Sequence, residues 1–85
     1  MSEDIELLKK KIIYKSSYRG IKELDIILRF FIKKHINNLT INDLNDLLDF
    51  LNYSDEDIFK FKQGLLKNKK IKENNIANLF KNFSL

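Results

Sequence analysis

Apolar residues along the chain recur in steps of three and four, and no run alternates with period two, so the pattern predicts helices and no strands. Ile5, Leu8 and Ile12 set the first stripe. Ser2, with Glu3 and Asp4, is the expected N-cap and acidic first turn of this helix, which ends near Lys15, Ser16 and Ser17. A second stripe runs through Ile21, Leu24, Leu28, Phe31 and His35 and is widened by Ile27 and Ile32, which predicts the longest helix of the chain. Asn37 and Asn38 stop it. Thr40 with Asp43 has the spacing of a carboxylate capping box, and it opens a third helix that buries Ile41, Leu44, Leu47, Leu48 and Leu51.

Ser54 with Asp57 repeats that cap before Ile58, Phe59 and Phe61, and Gly64 is a natural left-handed terminator, so the fourth helix is short. A polar, lysine-rich stretch from Lys67 to Lys72 leads to a fifth helix with Ile76, Leu79, Phe80 and Phe83 on its face, and Asn82 to Leu85 are expected to fray. The pattern contains no fixed-period repeat and no linker. The expected fold is therefore all-α, a compact single-domain five-helix bundle spanning residues 1–85, with connections of about three to eight residues.

Composition narrows the chemistry. The 85 residues include no cysteine, no proline, two glycines and one histidine. Disulfides, thiolate metal sites, cysteine nucleophiles and multi-histidine sites are excluded together. The start, MSEDIELLKKK, lacks a basic region followed by an unbroken apolar run, and no apolar run approaches the roughly 20 residues of a membrane span. A soluble cytoplasmic protein is expected, without membrane insertion. The net charge of +4 is unevenly spread: +4 over residues 1–36, −6 over 37–59 and +6 over 60–85. An acidic middle between basic ends argues against a uniform polyanion binder.

The most informative stretch is Tyr14-Lys15-Ser16-Ser17-Tyr18-Arg19-Gly20-Ile21-Lys22-Glu23-Leu24-Asp25, where one of two arginines adjoins one of two glycines. Gly20 permits a turn or a close approach of another group. Arg19 at the start of the second helix is disfavoured by the macrodipole, and Glu23, four residues on, is within pairing range to orient it. A functional role competes with a bland one. In the latter Gly20 is a plain turn, Glu23 a favourable first-turn carboxylate, and Asp25 the i, i+4 partner of Arg29.

This stretch resembles the signature of the succinate dehydrogenase assembly factor 2 family, small mitochondrial and bacterial FAD assembly factors marked by Arg-Gly-x-x-Glu followed closely by an acidic residue. Arg19, Gly20, Glu23 and Asp25 fill those positions, and Asp55-Glu56-Asp57-Ile58-Phe59 resembles the family's downstream acidic turn. The resemblance covers about Lys11 to Gly64. It departs where Ser17 and Tyr18 replace a basic residue common before the Arg-Gly pair, and where Phe61 stands near a frequent tryptophan.

The resemblance implies a binding protein and not an enzyme. It would dock on the flavoprotein subunit of succinate dehydrogenase or fumarate reductase and promote covalent attachment of FAD, a cofactor that belongs to that client and is not held tightly by this chain. Arg19 would hydrogen-bond client carboxylates or carbonyls, Gly20 would allow close contact, and Glu23 would orient Arg19 or meet a client cation, with Tyr18, Asp25, Asp55 and Asp57 completing the surface. Arg19 and Gly20 are expected at the surface, so that replacing them leaves the fold nearly intact. A monomer is expected.

Other features carry less. His35 is either a proton shuttle or a helix-end residue. Lys67, Lys69, Lys70 and Lys72 are either a nucleic-acid contact or a solvated loop, and Phe30 is either core or an exposed anchor. The competing function is a small basic helical nucleic-acid-binding or antitoxin-like regulator, suggested by the pI near 9.3. The acidic middle weighs against it, and no nucleic acid is expected as partner.

Overall fold

The computed structural model describes residues 2–65 and 70–85, with side chains from Asp4 onward. Five helices follow in order: α1 (Ser2–Ser16), α2 (Lys22–His35), α3 (Ile41–Phe50), α4 (Asp55–Gln63) and α5 (Asn75–Asn82), and no strand occurs among the described residues. The all-α expectation holds. The cap expected at Ser2 and Glu3 lies on side chains outside those described. At 15 residues α1 exceeds the 14 of α2, so the second helix is not the longest.

The local signals set the helix ends. The Thr40 hydroxyl accepts from Asp43 N at 3.1 Å and the Ser54 hydroxyl from Asp57 N at 3.2 Å, as the capping spacing predicts. Gly64 closes α4 at φ 74°, where a glycine carries no Cβ penalty. Asn74 is a third cap, its Oδ1 accepting from Ala77 N at 2.8 Å, inside a polar stretch whose pattern does not single it out.

One core collects the inward faces. Ile12, Leu24, Leu28, Phe31, Leu44, Leu47, Ile58, Ile76 and Phe80 are essentially inaccessible. α1 lies against α2 and α3, α5 covers α3 and α4, and α2 meets α4. The radius of gyration, 12.3 Å, is close to the roughly 12 Å of a compact domain this size.

The helical faces differ from expectation at their edges. Ile41 is exposed, lining an open surface groove with Leu7 and Leu8 of α1, and Phe50 is in the core. Ile71, inside the lysine-rich stretch, is 2% exposed and fastens that connection to the core. Phe83 is buried too, edge-on to Phe31 at 5.5 Å, and the Lys62 ammonium donates to the carbonyls of Lys81 and Phe83. The segment after α5 is thus docked through Phe83 and does not fray as a whole. Burial holds the Lys62 pKa below its ordinary value.

Candidate functional site

The α1–α2 connection carries the Arg-Gly pair, and its construction is local at first. The Ser16 and Ser17 hydroxyls both donate to the carbonyl of Ile13, closing the end of α1. Tyr18 then adopts a left-handed backbone, φ 57°, at a cost of about 1–2 kcal/mol for a residue with a Cβ. The chain thereby reverses, and Arg19 and Gly20 fall beside the first turn of α4.

Asp55 receives both. Arg19 Nε donates to Asp55 Oδ1 at 2.6 Å, and the Gly20 amide donates to Asp55 Oδ2 at 2.6 Å, so one carboxylate binds consecutive residues. The remaining guanidinium donors reach the carbonyls of Lys15 at 2.7 Å, Leu51 at 3.2 Å and Tyr53 at 3.2 Å. Its side chain is 11% exposed. Four connected points, on α1, the α3–α4 link and α4, converge on one planar cation whose fixed fork suits such a task.

Three expectations are corrected here. Arg19 is not electrostatically misplaced, because its guanidinium leaves the α2 N-terminus and sits where carbonyls of the last turn of α1 and the end of α3 point, which the helix dipoles favour. Asp55, 36 residues away, orients it in place of Glu23, whose side chain lies exposed on the first turn of α2. Since Arg19 makes four hydrogen bonds inside the molecule, its replacement will disturb the fold.

Gly20 has no positive φ; the left-handed residue of the turn is Tyr18. What Gly20 supplies is room, since a Cβ there would lie 3.1 Å from Asp55 Oδ2. Along the sequence the Arg-Gly pair and the acidic turn are separate motifs, and the fold joins them through Asp55. The available signal was Asp55 itself, an aspartate opening a helix with no basic residue within four positions.

The other candidates lie around this clamp. Tyr18 is 92% exposed. Asp25 meets Arg29 at 3.4 Å through Oδ2, while its Oδ1 is buried without a hydrogen-bond partner. Asp57 pairs with Lys70 at 2.8 Å and caps through its amide, apart from the Arg19 cluster. The Lys70 hydrogen bond holds the Asp57 pKa below its ordinary value, and Asp57 in turn raises that of Lys70. Lys70 is therefore engaged within the fold, while Lys67 and Lys69 lie outside the described residues. His35 rests against Phe31, ring centroids 4.9 Å apart, and Phe30 is half exposed beside an open apolar groove with Phe83 and Leu85. No cluster of three or more potential metal ligands occurs among the described residues.

Comparison with known proteins agrees with the motif. Residues 10–84 match the family model described as flavinator of succinate dehydrogenase. The chain is 40% identical over 58 residues to the mitochondrial succinate dehydrogenase assembly factor 2 of Dictyostelium discoideum, covering 68% of this chain and 41% of that protein. It is 36% identical over 59 residues to the counterpart of Candida glabrata, covering 69% and 39%, and 29% identical over 51 residues to that of Arabidopsis thaliana, covering 60% and 27%. The chain thus spans about two fifths of the length of the first two relatives. No solved structure matches it significantly. With the Arg-Gly turn and the acidic turn joined in one clamp, and the family model matched across nearly all of its length, this chain belongs to the flavinator of succinate dehydrogenase family.

Proposed function

We propose that this chain is an assembly factor that binds the flavoprotein subunit of succinate dehydrogenase, or of the related fumarate reductase, and promotes covalent attachment of FAD to it. The observation that supports this reading most is the fusion of the two motifs: Asp55 holds Arg19 and Gly20 together and so fixes the exposed turn between α1 and α2. Tyr18, Gly20 and Glu23 meet the partner from this turn, Asp25 borders them, and Arg19 and Asp55 act as positioning residues behind. Asp57 contributes by fixing the start of α4 next to Asp55.

The role is not enzymatic. The flavin and the client supply the bond-forming chemistry, the chain holds no FAD tightly, and it works as a monomer that favours one client conformation. The shift it produces is bounded by its differential affinity for that conformation. Residues 37–59 carry −6 with no basic side chain among them, which weighs against a polyanion, so nucleic acid is not the partner in this reading.

The test is reconstitution. The apo flavoprotein subunit is co-expressed with and without this chain, and covalent flavin is read by in-gel fluorescence. A clear increase with the chain present is expected. Equal flavin in both would overturn the reading.

A further inference from the structure

Among the described residues Tyr18 is alone in being a non-glycine with positive φ, 57°, and it is also the most exposed of the large hydrophobic side chains, at 92%. These facts are at odds if folding were the only demand. A left-handed position favours glycine or asparagine, and an aromatic ring in water gains nothing from the fold. No hydrogen bond or ring contact joins the Tyr18 side chain to the rest of the described chain. Strain of this kind persists where the surroundings enforce it, and it clusters at functional sites.

The surroundings here are specific. Ser17 before it is tied to α1 through its amide on Tyr14 O, at 3.2 Å, and its hydroxyl on Ile13 O, at 2.8 Å. Arg19 and Gly20 after it are tied to Asp55. Tyr18 is thus held between two anchored residues, with its ring outward. A rigid backbone bearing a tyrosine, with only two side-chain torsions left to order, is a preorganised interface anchor.

We propose that Tyr18 is the specificity-determining anchor of this chain, its ring entering an apolar recess on the flavoprotein that carries a hydrogen-bonding group for the phenol. The inference rests on the flavoprotein reading above and names the kind of contact that surface makes. It assigns the Arg19–Asp55 clamp a purpose in binding: the clamp enforces the strained presentation.

The consequence is that stability and binding respond in opposite directions. Tyr18→Asn keeps the left-handed preference without the extra unfolded-chain freedom of glycine, so its Tm should rise by a few degrees. Its affinity for immobilised apo flavoprotein subunit, measured by biolayer interferometry, should fall about tenfold or more. Tyr18→Phe keeps the ring and should lose only a few-fold. Tyr18→Asn binding within about twofold of wild type would overturn the proposal while leaving the flavoprotein reading standing. A drop in Tm for both Tyr18→Asn and Tyr18→Gly would also overturn it, since the side chain would then serve the fold; this arm needs no partner. Failure of wild-type protein to bind the subunit would defeat the flavoprotein reading, and the anchor with it.

Discussion

At the scale of single residues the molecule turns on Arg19 and the carboxylate that receives it. Removing a largely buried cation strands its partner and the carbonyls it served. Arg19→Ala should therefore cost about 2–4 kcal/mol, read from the urea midpoint. Asp55→Asn keeps the shape but not the charge and should cost less than Arg19→Ala. A stability loss for Arg19→Ala below about 0.5 kcal/mol, ordinary for a surface site, would mean that the clamp does not hold the fold together. Gly20→Ala is a finer probe. Its Cβ meets Asp55 Oδ2 at 3.1 Å, so the carboxylate must shift by a few tenths of an ångström while it still serves Arg19. A small destabilisation is expected, about 0.5–1.5 kcal/mol, the usual range for an ordinary substitution. These stability losses must be measured beside any flavinylation defect, because a clamp variant can fail through either.

At the scale of elements, each helix is specified twice, by its cap and by its buried stripe. Leu28 is fully buried in the middle of α2, and Leu28→Ala should cost about 2–4 kcal/mol, the range of buried leucine truncations, in chemical denaturation. Asn74→Ala removes the cap of an eight-residue helix that covers α3 and α4, and a loss of about 0.5–2 kcal/mol is expected. If Asn74→Ala is neutral, Phe83 docking and the Lys62 contacts suffice to hold α5. The stripes were legible because each helix faces the core with residues three and four apart. Their edges were not. Ile41 and Phe50 exchange roles because burial at the ends of α3 depends on how far α1 and α5 extend over it, and periodicity within one helix contains no such information.

At the scale of the whole molecule, the −6 centre and the basic segments meet in space. Lys70, from the last connection, pairs with Asp57 on α4. The depressed Asp57 pKa means its contribution is present above the unfolded value of 3.8 and fades as pH falls through the folded value. The raised Lys70 pKa means its contribution is present below 10.5 and fades as pH rises through its folded value. Stability from this pair therefore spans the neutral range, is lost at both extremes, and is screened by salt because both groups lie near water. Lys70→Ala should flatten the acid limb of a stability–pH curve at low ionic strength and change little at high salt. An unchanged acid limb in the variant would remove Asp57 and Lys70 from the electrostatics of the fold.

Legible in the sequence were the helical class, the four helix ends set by Thr40, Ser54, Gly64 and Asn37-Asn38, most of the core, and the two motifs that carry the family resemblance. Each of these is encoded within a few residues: a cap within three, a stripe within one or two turns, a motif within seven. Who meets whom across the chain follows instead from packing in three dimensions. Arg19 reads locally as a misplaced cation beside an i+4 glutamate, yet its partner is 36 residues away and its other acceptors are carbonyls, which every residue has and no sequence distinguishes. Gly20 reads as a residue that bends the chain, yet the bend lies at Tyr18 and the glycine makes room for Asp55. Ile71 sits in a lysine-rich segment that reads as solvent-facing, and Phe83 in an end expected to fray, yet both are buried in the core. Short-range patterning fixes where helices form, while pairing, room and exposure follow from three-dimensional packing, where distance along the chain no longer measures distance in space.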